Sequence, residues 1–248
     1  MIDKKPEAKP EANPLESLPI VVRGLHGHYG QSHVLHGMNF DVRRGEVVTL
    51  LGRNGAGKTS TLRAIIGILG KRTGSILIEG TETIGLPSDR IATIGLGYCP
   101  EERGIFSGLT VHENLLLPPV LKPGGMSVSD IHALFPRLKE RAKSQGTKLS
   151  GGEQQMLAIA RILRTGAKTL LLDEPTEGLA PIIVQHIGEI IRTLKERGYT
   201  IVLVEQNLRF AMSVADRHYV VEHGRVVDAV SNDQLRESPA RLDKYLSV

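Results

Sequence analysis

At 248 residues, with 40% hydrophobic residues, 23% charged residues and a net charge of +4, the chain has the composition of an ordinary globular protein, either one large domain or a core with a subdomain. No apolar run approaches the ~20 residues of a membrane-spanning helix, and no signal-type apolar segment opens the chain, so a cytoplasmic location is expected. The single cysteine, Cys99, excludes an internal disulfide and a cysteine-cluster metal site. Aromatics at 4% with no Trp offer no stacking platform for single strands, so no nucleic-acid partner is expected.

Residues 1 to 18 are rich in Pro, Lys, Glu and Ala and read as a disordered tail, leaving 19 to 248 as the folded domain. Ile20-Val21-Val22 and Asn39 to Val42 read as strands of a small antiparallel sheet, with H-G-H-Y-G between them. Tyr29 in that stretch is one of few aromatics, and its ring could stack on an adenine.

The apolar run Val47 to Leu51 reads as a strand buried on both faces. Beyond it Leu62, Ile65, Ile66 and Leu69 recur at helical spacing, so Gly52-Arg53-Asn54-Gly55-Ala56-Gly57 is a glycine-rich turn between a strand and a helix start. The pattern G-x-x-x-x-G-K-[ST] is a P-loop. Its glycines allow backbone N–H groups to converge on phosphate, Lys58 would reach the outer phosphates, and the Thr59 hydroxyl, followed by Ser60, would ligate Mg²⁺. The ligands implied are a nucleoside triphosphate and Mg²⁺, and the loop by itself leaves a kinase, a GTPase and an ATPase all open.

Ser75 to Ile78 reads as a strand turning at Glu79-Gly80, and 95 to 108 as a loop whose Ile105, Phe106 and Leu109 are unusually apolar. Short helices broken by Pro and Gly over 110 to 148 suggest an inserted helical subdomain, placed at about 100 to 165. Ser150 and Glu153 form a capping box for a helix whose apolar face is Met156, Ile159, Ala160 and Leu163. Gly151 and Gly152 in its first turn would each weaken it by ~1 kcal/mol, and a phosphate at that helix start would supply a reason for them.

Thr169 to Leu172 is a further buried strand, ending in Asp173-Glu174. In an α/β sheet such a position faces the ligand, so Asp173 would hold Mg²⁺ and Glu174 would take a proton from the attacking water. A helix with Pro181 near its start and Gly198 past its end follows. Then come a strand over Thr200 to Val204 ending in Glu205-Gln206-Asn207, a hairpin turning at His223-Gly224, and a closing helix around Leu235 to Leu246.

With these segments in order, the chain from about residue 20 resembles the ATP-binding subunits of ABC transporters: G-R-N-G-A-G-K-T as Walker A, L-S-G-G-E as the signature, L-L-L-D-E-P as Walker B and G-L-A-P as the D-loop region. The resemblance implies an α/β P-loop ATPase core with a mostly parallel sheet, an N-terminal antiparallel β region and an inserted helical subdomain. It places Tyr29 where the family's adenine-stacking aromatic lies. It further implies that two ATPase subunits close head to tail, so that Ser150, Gly151, Gly152 and Glu153 of one cap the γ-phosphate held by the other's P-loop. Two positions depart from the family: Glu101, a candidate catalytic residue and metal ligand, stands where most members have a Gln in the loop that senses γ-phosphate and the membrane subunit, and Gln206 stands where most have the switch His.

The combination P-E-x-R-G-I-F, S-G-G-E-Q-Q-M-L-A-I-A-R, D-E-P-T-E-G-L-A-P-I-I and L-V-E-Q-N looks like the second ATPase of branched-chain amino-acid importers, the LivF type, and its relatives for urea and short amides. That likeness implies a heterodimer with a second ABC ATPase, a homodimer being geometrically allowed. It also implies two integral-membrane permeases at the inner face of the membrane and, indirectly, a periplasmic solute-binding protein. A soluble ABC-type switch ATPase is the alternative.

Overall fold

The computed structural model describes residues 18–238. The expected N-terminal tail lies, but for Leu18, outside the described residues, as does the end of the closing helix. The chain opens with the long hairpin β1 (Ile20–Tyr29) and β2 (Ser32–Val42), which the sequence reading had as two short strands with a loop between them. H-G-H-Y belongs to β1, with His28 opposite His33 and Tyr29 opposite Ser32 across the turn. β4 (Lys71–Ile78) pairs antiparallel with β1, and β5 (Thr81–Glu82) with β4, completing a sheet of order β2-β1-β4-β5.

The second sheet has the order β10-β9-β3-β8-β7-β6. At its centre are β3 (Val47–Leu51), β7 (Thr169–Asp173) and β8 (Thr200–Glu205), every residue of which is buried. The continuous apolar runs reflect this, since a strand covered on both faces needs no polar alternation. β9 (Arg217–Glu222) runs parallel to β3, and β10 (Arg225–Ser231) closes the edge as an antiparallel hairpin. The other edge is β6 (Leu96–Cys99), parallel to β7. This corrects the reading of 95 to 108 as loop throughout: four residues, one a glycine, are too short for a period to register in sequence, but the sheet supplies partners for them.

One face of this sheet packs on the antiparallel sheet and on α1 (Lys58–Ile65), burying Leu25, Leu35, Leu62, Ile65 and Leu69. α1 is shorter than the periodicity suggested. Leu69 is still buried, from the segment that follows the helix. α2 (Ser88–Thr93) precedes β6. The opposite face is covered by helices. Between β6 and β7 run α3 (Val111–Leu116), α4 (Val128–Leu134), α5 (Pro136–Glu140) and α6 (Gly151–Arg164); after β7 comes α7 (Pro181–Glu196). Leu115, Phe135, Leu157, Ile159, Leu163, Ile187 and Ile191 fill that core. α8 (Leu208–Val214) and α9 (Asn232–Glu237) complete the described chain.

The two sheets are joined by charge as well as packing. Arg217 of β9 donates to Asp41 Oδ1 at 3.1 Å on β2 and to both Glu46 oxygens at 2.9 Å. Its hydrogen bonds lower the Asp41 pKa against the opposing cost of burial. A planar guanidinium satisfies two carboxylates at once, which a lysine cannot do.

Because β9, β3, β8, β7 and β6 are parallel neighbours, their carboxyl ends share one edge. Residues 52–59, 173–174, 205–206 and 100–102 follow those ends and therefore converge, whatever their separation in sequence.

Candidate active site

The turn from Gly52 to Gly57 needs its glycines for different reasons. A Cβ on Gly52 would lie 2.3 Å from the Val221 carbonyl oxygen, so only glycine lets β3 leave the sheet beside β9. Gly55 and Gly57 have φ of 77° and 106°, in the left-handed region. Gly57 is the N-cap of α1 and offers no side-chain acceptor to the first-turn N–H groups. Those donors are available to an anion, and the helix dipole favours one there.

Lys58 is 4% exposed. Its Nζ donates to the Gly52 carbonyl at 2.8 Å and the Arg53 carbonyl at 3.1 Å, and lies 3.4 Å from Glu174 Oε1. The Thr59 hydroxyl donates to Asp173 Oδ1 at 3.0 Å, and the Tyr98 hydroxyl to Asp173 Oδ2 at 3.1 Å. Asp173 is fully buried at the end of β7, and burial pushes its pKa up to about 6 against the pull of those two hydrogen bonds. A hydroxyl and a carboxylate side by side, with Glu101 on the same cleft, are hard oxygen donors of the kind that Mg²⁺ accepts. Among the described residues no group of three His, Cys, Asp or Glu side chains is arranged to hold a metal ion. Mg²⁺ is commonly held by one or two carboxylates together with substrate phosphates.

Glu174 follows Asp173 with a φ of 44°, a conformation uncommon for a side chain that is not glycine. The turn sets its carboxylate between Lys58 and Gln206, whose Nε2 donates to Oε2 at 2.7 Å. Behind it, Glu205 is buried at the end of β8 and accepts from the Thr176 hydroxyl at 2.7 Å, and burial pushes its pKa up to about 7.

Lys58, Thr59 and Glu174 line a cleft of about 740 Å³ together with Asn54, Gly55, Gly57, Ser60, Glu101 and Glu177. Arg53, Ala56 and Val221 line a smaller recess beside it. Tyr29 ends β1 at the cleft's rim, 42% exposed, and does not line it. Its hydroxyl faces the Arg63 guanidinium, whose pKa it raises.

Ser150, Gly151, Gly152 and Glu153 are likewise not among the cleft's lining residues. Their capping box is present: Ser150 Oγ accepts from the Glu153 N–H at 3.3 Å and Glu153 Oε2 from the Ser150 N–H at 2.8 Å. One glycine has a reason inside the chain, because a Cβ on Gly152 would meet Ile183 of α7 at 2.8 Å. At Gly151 the nearest atom is the tip of Arg103, at 3.2 Å, which can move aside.

Sequence reasoning missed Tyr98, Glu177, Arg63 and three histidines, His33, His36 and His223, all at the site or on its lining. Glu177 follows Glu174 by three residues, and its pKa is raised first of all by a hydrogen bond to that carboxylate. That spacing was the available signal. The histidines carried none, because only strand pairing brings them together.

A buried lysine and a helix N-terminus on a glycine loop, facing paired acids at the next strand ends, define a P-loop nucleoside triphosphatase. Residues 35–177 match the family model described as ABC transporter, and the chain belongs to that family, as one of its ATPase subunits. It is 46% identical over 222 residues to the high-affinity branched-chain amino acid transport ATP-binding protein BraG of Pseudomonas aeruginosa, spanning 88% of this chain and 95% of that one. The lipopolysaccharide export system ATP-binding protein LptB of Escherichia coli K12 is 34% identical, over 84% of this chain and 88% of its own. Among solved structures, the dimeric structure of MJ0796, a bacterial ABC transporter cassette, superposes with a TM-score of 0.75 at 26% identity, covering 86% of this chain and 98% of that one.

Proposed function

We propose that this chain is the ATP-hydrolysing subunit of an importer for branched-chain or similar hydrophobic amino acids. The observation that carries the chemistry is the Glu174 carboxylate, held between Lys58 and Gln206 beside the Thr59–Asp173 pair. Lys58 and the N–H groups of residues 55–59 bind the phosphates. Thr59 and Asp173, with Glu101 nearby, would hold Mg²⁺, which would offset charge building on the phosphates when bound. Glu174 takes the proton of the attacking water, and Gln206 keeps that carboxylate aimed. Gln206 can donate and accept hydrogen bonds but cannot carry a proton at neutral pH as an imidazole can, so proton removal rests on Glu174.

The signature residues 150–153 stand off the cleft of their own chain, which supports a site completed head to tail by a second ATPase subunit. Closure then becomes a condition of turnover. In this reading the partner is a related but non-identical ATPase. The pair works on two permeases at the inner face of the membrane, supplied indirectly by a periplasmic binding protein. No helix among the described residues is long and apolar enough to cross a membrane, so the pore is assigned to other chains. Import is preferred to export because the branched-chain amino acid transport relative is 46% identical and the export relative 34%.

The test is uptake of radiolabelled leucine and of urea by the host after deletion of this gene, restored with wild type or Glu174→Gln. Leucine uptake lost on deletion and recovered only with wild type supports the reading. Unchanged leucine uptake with loss of urea uptake would transfer the subunit to the amide importers, and loss of neither would end the importer assignment.

A further inference from the structure

Backbone pairing between β7 and β8 ends where the Glu174 N–H donates to the Val204 carbonyl at 3.0 Å. Beyond that point the chain leaves both strands in turns, and the hydrogen bonds between the two turns run through side chains. One is exposed, the Gln206 Nε2 contact with Glu174 Oε2 at 2.7 Å. The other lies behind it: the Thr176 hydroxyl donates to Glu205 Oε1 at 2.7 Å, with Glu205 3% and Thr176 7% exposed.

We propose that Glu205 and Thr176 are positioning residues for ATP hydrolysis: their buried hydrogen bond holds the Gln206 turn and the Glu174 turn at the separation that the Gln206–Glu174 contact requires. This rests on the reading of Glu174 as the base and adds the pair that sets its partner.

Each end of the pair is joined closely to the group it places. Glu205 adjoins Gln206, and its Oε2 accepts from the Gln206 and Asn207 N–H groups at 3.3 and 3.4 Å. Asn207 in turn caps α8, its Oδ1 accepting from the Phe210 N–H at 3.1 Å. On the other side, Thr176 is separated from Glu174 only by Pro175, whose ring fixes φ. The same turn is closed by the Glu177 N–H on the Glu174 carbonyl at 3.1 Å and by the Leu179 N–H on the Thr176 carbonyl at 3.3 Å. A shift of Thr176 is therefore passed to Glu174, whose backbone already sits at a φ of 44°.

The choice of groups points the same way. Glu205 follows the apolar run Ile201 to Val204, and a buried acid there costs stability where an apolar pair would fill the space at less cost. What packing lacks is direction: a hydrogen bond fixes the distance and the angle between its partners. Behind a reacting carboxylate that precision has a use, since a misplacement of about 1 Å can lower a rate by about a hundredfold.

The experiment is a double-mutant cycle on turnover and ATP affinity, with the chain assembled with its membrane partners: Thr176→Val, Gln206→Ala and the two together, with Thr176→Ser beside them. Thr176→Val keeps the shape and removes the hydroxyl. It is expected to lower turnover about three- to tenfold with ATP affinity within about twofold of wild type, and to lower it by less than about twofold in the Gln206→Ala background. Thr176→Ser keeps the hydroxyl and should hold turnover within about twofold of wild type. An equal drop in both backgrounds, no drop in either, or a Thr176→Ser chain as slow as Thr176→Val overturns the proposal, as does an ATP affinity that falls in step with turnover. A Thr176→Val chain that circular dichroism shows unfolded is replaced by Thr176→Val with Glu205→Leu, which strands no buried acid and is held to the same outcomes. Unchanged turnover in Glu174→Gln, run alongside, would instead remove the base on which the proposal rests, an outcome distinct from failure of the clamp.

Discussion

Glu205 is a carboxylate that the fold would rather keep neutral, and replacing it with Gln measures how strongly. It is 3% exposed at the end of β8; Oε1 accepts from Thr176 and Oε2 only from the weak N–H contacts of Gln206 and Asn207 at 3.3 and 3.4 Å. Its pKa stands at about 7 in the folded chain against an ordinary 4.5. Between those values the folded state holds a proton that the unfolded state has lost, so stability falls as pH rises through this window. The full difference is about 3 kcal/mol, of which about 2 kcal/mol falls between pH 5.5 and pH 8. Glu205→Gln keeps the shape and a partner for Thr176 and removes the ionisation. Urea unfolding at the two pH values should give a variant whose stability changes with pH by about 2 kcal/mol less than wild type does, and which is the more stable protein at pH 8. Equal slopes, with the variant weaker at pH 8, would show that Glu205 is ionised and well solvated in the fold and would refute the reasoning.

Three further substitutions follow from the same geometry. The Tyr98 hydroxyl donates to Asp173 Oδ2 at 3.1 Å and so fixes the carboxylate that would hold Mg²⁺; Tyr98→Phe should raise the Mg²⁺ concentration needed for half-maximal turnover, read by a Mg²⁺ titration of ATPase activity. Gln206→Ala removes the donor at 2.7 Å from Glu174; steady-state assays should show turnover falling by about tenfold or more, with ATP affinity nearly unchanged. Gly52→Ala sets a methyl group against the Val221 carbonyl, which backbone must yield to accommodate. A loss of about 1–3 kcal/mol in urea unfolding is expected, together with weaker nucleotide binding.

The parts of the site written in consecutive residues could be read before any coordinates. Gly52 to Ser60 carry a loop, a helix start and two proposed ligands in one run, and Asp173-Glu174 follow Thr169 and three leucines, a run that reads as a buried strand. The parallel central sheet follows from those same runs. β6 was lost because L-G-Y-C is too short to show a period, and with it went Tyr98, whose contact with Asp173 spans 75 residues. The hairpin strands were underestimated because Gly24, Gly27 and Gly37 break the alternation while the register shifts of the pairing absorb them. The histidine cluster was illegible for a related reason: H-x-H and H-x-x-H spacings acquire meaning only once the turn sets His28 against His33. Gly152 illustrates the converse, a residue whose pattern pointed to a ligand and whose side-chain space is already taken by Ile183.

The central claim is that Glu174 is the base for ATP hydrolysis at a cleft that binds nucleotide through other groups. It is tested by measuring phosphate release and ATP binding side by side for wild type and Glu174→Gln, assembled with its membrane partners. Turnover should fall by about 10²- to 10⁴-fold while ATP affinity is kept, since an amide fills the same space between Lys58 and Gln206 but takes no proton. Turnover within a few-fold of wild type would contradict the account and move the base elsewhere, with Glu177 the next carboxylate in the cleft.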